Sequence, residues 1–479
     1  MVRRYGLVVI AVVAMACVTN PATGRPQLNL LSEAQEIALG READQQIRAE
    51  MGVYDDAGWQ AYVTRVGMAM AKKSHRPNLP WSFVVVDASA VNAFALPGGF
   101  IYVTRGILPF LQSEAELANV LGHEIAHVTA LHGASAYSKQ QLTGLGLGLG
   151  RILAPERYGG VFGGLEMAMS LAFLKHGRDA EREADRLGVG YASASGWDPA
   201  GMVGLLSTLG RLSEASGSSR GVPNFLTAHP LPEDRIAAVK DLVTAEGPGA
   251  QTVDAAEFSG RLPGVVWGDS REQGIVRGRE FVHPILRIAL RFPDGWEISN
   301  SASQVTAQPA GEAQAAVVLR VVSNASGGPA QTARTQMART QMAAAKLTEV
   351  SGGETTINGQ RAYVGTYRGE QEVVRAAFIV AGSTTYLVAG VATSQAFGSA
   401  QGTFANTIES FRTMTQAEAD QIQPFRVGQY SVRSGDTWTS IASSAAPRPI
   451  GPATLAIMNG ATAASRPPVS ARIRVVVSG

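Results

Sequence analysis

The stretch LGHEIAHVTALHG, residues 121–133, constrains this chain more than any other. His123 and His127 are four residues apart. On a helix with 3.6 residues per turn they stand one above the other, and their imidazoles can converge on one ion. Glu124 lies between them and can lean over a water on that ion, the position of a general base. The surroundings predict a helix: Ser113 and Glu116 have the spacing of a capping box. Leu117, Leu121, Ile125 and Val128 recur on the face opposite the histidines. Gly122 costs up to about 1 kcal/mol of helix propensity against Ala, a cost that a neighbour packed closely over the site would explain.

Catalytic zinc takes three protein ligands and leaves a position for water. A third ligand is expected in HGRDAEREADRLGVGYASASG, where Ala180, Ala184, Leu187 and Tyr191 form an apolar helix face beside Glu181 and Asp185. Two carboxylates one turn apart repel unless a positive charge lies between them. Glu181 on the metal, with Asp185 accepting from the outer nitrogen of a liganding histidine, would supply both partners. Taken alone, the segment also reads as a solvated face with Arg178, Arg182 and Arg186 as counter-charges, and Glu183 competes for the ligand role.

HEIAH followed by EREAD resembles the M48 family of zinc metallopeptidases, whose pattern is HExxH and then ExxxD. The resemblance covers roughly residues 28–245. It includes NAFALPGGFIYVTRGIL (92–108) and AHPLPEDRI (228–236), which are similar to the bacterial envelope branch of the family. It implies one Zn2+ per chain held by His123, His127 and Glu181, catalysis by Glu124, and Asp185 behind the ligands. It also implies that a strand edge at Asn92, Ala93, Phe94 and Ala95 lines the substrate cleft, where a peptide could add main-chain hydrogen bonds. His229 sits where relatives bring a histidine toward the zinc. It is expected either to close the metal's coordination as a switch or to be a plain turn residue, with Arg235 facing substrate or Asp185.

The remaining histidines of this region carry no such pattern. His75 and His176 are expected at the surface or in satisfied structural positions, and His132, five residues beyond His127, is expected to turn away from the pair. Between the motifs, glycines alternate from 144 to 150 in LTGLGLGLGRILAPERYGGVFGGLEMAMS. That suits neither a stable helix nor a strand and is expected to form part of a lid. The run from Met167 to Leu174 is expected to be a core helix.

At the amino end, MVRRYGLVVIAVVAMAC has two arginines and then an apolar run too short to remain as a membrane span, the form of an export signal. Cys17 is the only cysteine, so no disulfide can use it, and residues 1–17 resemble a lipoprotein signal ending in an acylated cysteine. Val18 is not an aspartate-type retention signal, which favours the outer membrane over the inner. The net charge of +2, from 41 basic and 39 acidic residues, provides no global field for nucleic acid.

A length of 479 residues exceeds one core. The expected fold class is α+β. A mostly helical zincin-type metallopeptidase domain with a small sheet spans 28–247, followed by a connection at 248–276 and a small α+β domain on an antiparallel sheet at 277–415. The last unit, 429–479, resembles a LysM module in its GDT turn (Gly435, Asp436, Thr437) and its Asn459–Gly460 pair, which implies peptidoglycan as a partner. No 34-residue repeat is present. The expected function is a zinc endopeptidase of the bacterial periplasm, attached to the outer membrane, acting on unfolded or misassembled envelope polypeptides. The alternative is a chaperone-like or cell-wall-binding lipoprotein whose zinc site is mainly closed or regulatory.

Overall fold

A computed structural model describes residues 17–147, 176–215, 229, 234–247, 252–311, 314–323, 325, 327–339, 347–444 and 450–479. The export signal before Cys17, most of the expected lid and the Met167–Leu174 run lie outside the described residues. Among those described, no helix is long and apolar enough to cross a membrane.

The chain opens with a short hairpin, β1 (Cys17–Thr19) and β2 (Pro26–Leu28). Helix α1 (Glu33–Met51) begins at a complete capping box of Ser32 and Gln35, and α2 (Ala57–Ala71) begins at Asp56, whose side chain accepts from Trp59 N. A three-stranded sheet follows, made of β3 (Ser82–Val86), β4 (Ala93–Leu96) and β5 (Phe100–Thr104) in the order β3-β5-β4. Strand β3 runs parallel to β5, whereas β4 runs antiparallel to β5 at the edge of the sheet. A 3-10 turn, Arg105–Phe110, leads into α3 (Glu114–Thr129), the helix that carries HEIAH.

Only half of the expected capping box forms on α3. Ser113 accepts from Glu116 N, but the Glu116 carboxylate turns back to Gln112 N, 2.8 Å away. Nor is α3 amphipathic in its setting, because all its residues are buried. Leu117, Leu121 and Ile125 meet Val63 and Val66 of α2 and Ile101 and Val103 of β5 in one core. The helices α4 (His132–Leu147), α5 (Arg178–Ala194), α6 (Gly201–Ala215) and α7 (Arg235–Glu246) complete the unit. Contrary to expectation, α4 remains helical through Gly144 and Gly146.

The stretch expected to be a connection at 248–276 is instead partly core. Within it lie α8 (Ala255–Arg261) and β6 (Val266–Trp267), and Phe258, Leu262 and Val266 join the main cluster. Arg105, 1% exposed, donates to Asp87 and to the carbonyls of Val266 and Gly268. A buried guanidinium with three acceptors is satisfied, and it ties this stretch to the sheet.

The next unit contains β7 (Ile275–Arg277), β8 (Glu280–His283), β9 (Ile288–Arg291), β10 (Trp296–Asn300), β11 (Gln304–Pro309) and β12 (Ala315–Val321), then α9 (Pro329–Arg339). It continues with β13 (Thr348–Ile357), β14 (Gln360–Arg368), β15 (Glu372–Ala381), β16 (Thr384–Thr393), α10 (Phe397–Glu409), β17 (Arg412–Thr413) and α11 (Gln416–Asp420). Seven strands form an antiparallel sheet in the order β10-β11-β12-β16-β15-β14-β13. Alternate residues face opposite sides: Val317, Leu319 and Ile379 pack with Phe404 of α10, and Val318, Phe378 and Leu387 pack with Ala333 of α9.

The last elements are β18 (Phe425–Ser431), α12 (Trp438–Ser444), α13 (Pro452–Met458) and β19 (Arg472–Ser478), a strand-helix-helix-strand unit whose strands pair antiparallel. It is seated on the first unit, with Trp438, Leu455 and Val476 sharing a core with Phe110 and Leu212.

The cost of Gly122 has a visible cause. A Cβ on Gly122 would stand 2.8 Å from Gly188 O, and a Cβ on Gly188 would stand 2.8 Å from His123 N, so α3 and α5 touch backbone to backbone. On an open helix face Gly→Ala gains about 1 kcal/mol. Here Gly188→Ala should instead destabilise by about 1–3 kcal/mol through overpacking, read as a lower urea midpoint with unchanged slope. A gain in stability would contradict this helix contact.

Candidate metal centre

Helix α3 presents His123 and His127 on successive turns, α5 brings Glu181 across from its first turn, and His229 comes in just before α7. The Nε2 atoms of His123 and His127 lie 3.0 Å apart, and His229 Nδ1 lies 3.2 Å from His123 Nε2. Glu181 Oε2 is 3.5 Å from His123 Nε2, Glu181 Oε1 is 3.5 Å from His127 Nε2, and the same Oε1 is 3.1 Å from His229 Nδ1. All four side chains are buried.

These spacings fit a metal ion. Four donors on a tetrahedron with bonds of about 2.0–2.1 Å are separated by roughly 3.3 Å, and three nitrogens with one carboxylate oxygen form a set that suits zinc. Charge points the same way. Glu124, Glu181 and Asp185 are each 1% exposed, and Arg235, also 1% exposed, is the guanidinium in contact with the last two. A divalent cation would add the positive charge that, among the described residues, three buried carboxylates still lack.

The outer nitrogens of the imidazoles are also accounted for. His123 Nδ1 is 3.0 Å from Asp185 Oδ1. Asp185 in turn accepts two bonds from Arg235, 2.6 Å from Nε and 2.8 Å from Nη2, while Arg235 Nη1 reaches Glu181 Oε2 at 3.0 Å. Burial pushes the Asp185 carboxyl up, but Arg235 and His123 outweigh it and hold it below the usual range. Burial likewise works against ionised Glu181, and His229 and His123 overcome it, holding that carboxyl well below its ordinary value. Glu124 behaves differently: burial dominates and raises its pKa. Its Oε1 has no hydrogen-bond partner among the described residues, and His229 Nε2 is 3.7 Å away.

The four expected positions Asn92, Ala93, Phe94 and Ala95 lie at the start of the edge strand β4 or just before it, and Ala95, Leu96 and Pro97 share a small cleft with His127 and His176. Cys17 is the first residue of β1, far in sequence from the metal ligands.

Two histidines contradict the expectations for them. His176 is stacked on His127, with ring centroids 4.1 Å apart. His132 does not turn away, since its Nδ1 is 3.0 Å from His127 Nδ1 and its Nε2 is 3.0 Å from Glu183 Oε2. The reason lies in Leu131, whose φ of 57° ends the zinc-motif helix in a left-handed turn. Past that point helical spacing no longer applies, and neither Leu131 nor its neighbours advertise the turn. Glu183, the rival for the ligand role, thus contacts His132 rather than the donor cluster. His75 lies as a satisfied residue, 2.6 Å from the Tyr191 hydroxyl.

Comparison with known proteins agrees with this geometry. Residues 59–243 match the model of Peptidase family M48. The beta-barrel assembly-enhancing protease of Escherichia coli (strain K12) is 32% identical over 231 residues, 47% of this chain and 47% of that protein. That of Yersinia pestis is 31% identical over 219 residues, 44% of each chain. The mitochondrial metalloendopeptidase OMA1 of Arabidopsis thaliana is 33% identical over 205 residues, 42% of this chain and 40% of the relative. The chain spans about half the length of the curated relatives it matches. Residues 59–243, which hold both motif helices and His229, therefore match peptidase family M48, and their buried donor set fits zinc.

Proposed function

We propose that this chain is a zinc endopeptidase of the bacterial envelope that cleaves misfolded or misassembled envelope proteins. The observation that carries the reading is the buried Glu124 Oε1, which lacks a hydrogen-bond partner among the described residues and lies beside a donor set of imidazoles and a carboxylate. Zinc, when bound, supplies the Lewis acid that lowers the pKa of a water and polarises the scissile carbonyl. His123, His127 and Glu181 would hold it. Glu124 takes the proton from the attacking water and passes it to the leaving amine, a task that its place beside the donor set suits. Asp185 orients His123, and Arg235 keeps Asp185 ionised and pairs with Glu181 as well. The edge strand β4, with Asn92 to Ala95, aligns an extended substrate by main-chain bonds, which selects for unfolded segments over particular side chains.

The substrate class rests on the relatives, which are named for enhancing β-barrel assembly. The location rests on the export-type segment ahead of Cys17, which we read as an acylated anchor in the outer membrane, with peptidoglycan as a second contact for residues 429–479. The position of His229 favours a closed resting state. His229 Nδ1 is at ligand distance from the other donors, and as a fourth ligand it would take the water's position.

Three outcomes are expected. Glu124→Gln should retain zinc and lose about 10²–10⁴-fold in cleavage of casein, because the amide cannot accept the proton. Wild-type turnover in that variant would remove Glu124 from the mechanism, and loss of zinc would make it a ligand. His229→Ala should raise basal cleavage with zinc content unchanged; a lower rate would end the inhibitory role. Cys17→Ser should move the protein from the membrane to the soluble periplasmic fraction, since acylation supplies the anchoring chains; retention in the membrane would refute the lipid anchor.

A further inference from the structure

Each liganding imidazole of α3 has its outer nitrogen in contact with another group, and the two contacts differ. His123 meets a carboxylate of α5 directly, through Asp185. His127 meets a second imidazole, and that imidazole meets another carboxylate of the same helix, Glu183. We propose that His132 and Glu183 are positioning residues for the metal, forming a relay that fixes the tautomer and ring orientation of His127. The proposal rests on the zinc-site reading given above.

The protons follow by elimination. An ionised Glu183 can only accept, so His132 must carry a proton on Nε2, 3.0 Å away. In a neutral imidazole Nδ1 is then an acceptor, and its partner at 3.0 Å, His127 Nδ1, must donate. This leaves His127 Nε2 with its lone pair facing the donor cluster, which is the state a metal ligand needs. A doubly protonated His132 would donate to His127 Nδ1 and force the proton of a neutral His127 onto Nε2, against the metal. The relay thus selects one of two tautomers before an ion arrives.

The backbone is built to hold His132 there. Leu131 has a φ of 57°, a left-handed conformation that a leucine adopts only when its surroundings enforce it. Those surroundings are visible: Asn20 Nδ2 donates to Ala130 O at 3.0 Å, and Gln27 Nε2 donates to Leu131 O at 3.3 Å. Both donors belong to the β1–β2 hairpin. The amino-terminal hairpin therefore braces the turn that carries the relay, and His132 is 8% exposed while Glu183 reaches it from the edge of the site.

The test uses the full chain and zinc affinity, measured by competition with a chromophoric chelator. His132→Ala should weaken zinc binding about 10–100-fold, the usual effect of removing a group that orients a ligand. His132→Asn puts an amide oxygen near the lost Nδ1 and should recover a large part of that affinity. Circular dichroism and thermal unfolding of the zinc-free proteins check that both variants fold. In the 15N-histidine-labelled wild type, long-range 1H–15N spectra of the zinc-free protein should show His127 protonated on Nδ1, a bias lost in His132→Ala. Equal affinity in wild type and His132→Ala would overturn the proposal, as would an Asn variant no better than Ala or a His127 protonated on Nε2. A wild type that binds no zinc would overturn the metal centre itself, a result distinct from the others. Should His132→Ala fail to fold, the Asn variant and the wild-type spectrum still decide the question.

Discussion

Two helices can hold one ion only if their backbones come close, because a histidine and a glutamate together reach only a few ångströms beyond their Cα atoms. In this chain the approach is made at Gly122 and Gly188, where each helix presents no side chain to the other. Everything else about the centre follows from that contact. It sets the height of α5 against α3, so that Glu181 meets the histidine pair while Asp185, one turn on, meets the back of His123. With α2 and β5 packed on its other sides, α3 is fully buried, which places the histidines and Glu124 in a low dielectric where both ligand charge and proton affinity are magnified.

Such burial has to be compensated, and the compensation is distributed. Arg235 answers two carboxylates at once, an arrangement suited to the planar fork of a guanidinium and not to a lysine. Because Arg235 opens α7 and His229 lies six residues earlier, the segment that can close the metal site and the residue that stabilises its carboxylates travel together. A movement of His229 out of the cluster that kept Arg235 in place would leave the ligands ionised and ready. One that took Arg235 along would leave two buried carboxylates unpaired, at a high energetic cost.

Much of this was legible in the residues themselves. The four-residue spacing of His123 and His127 and of Glu181 and Asp185 is a direct consequence of helical geometry, and Ser113 announced where the first helix starts. What escaped was everything that depends on where helices end or meet. His132 was misread because five helical steps of about 100° turn a side chain away, whereas Leu131 ends the helix by adopting a backbone that sequence associates with glycine or asparagine. His176 has no periodic partner because its partner is a ring across the cleft. The helix through Gly144 and Gly146 runs against propensity, which is a weak term over so few residues. Phe258, Leu262 and Val266 looked like a connection since a single short apolar helix has too little pattern to reveal that it completes a distant core.

The seating of the carboxyl-terminal unit has a consequence in time. Arg474 Nη1 donates to the carbonyls of Pro109 and Leu111, across 365 and 363 residues of sequence, immediately ahead of the helix that bears the metal ligands. Phe110 and Leu212 likewise share a core with apolar residues of that last unit. Contacts of such separation form late, after the long intervening chain has been made and brought back. The platform beneath the zinc-motif helix is therefore finished by a strand that lies 363–365 residues further along the chain. Until that distant strand has folded back, the support is missing, so the full packing of the zinc-motif helix depends on a contact that closes late.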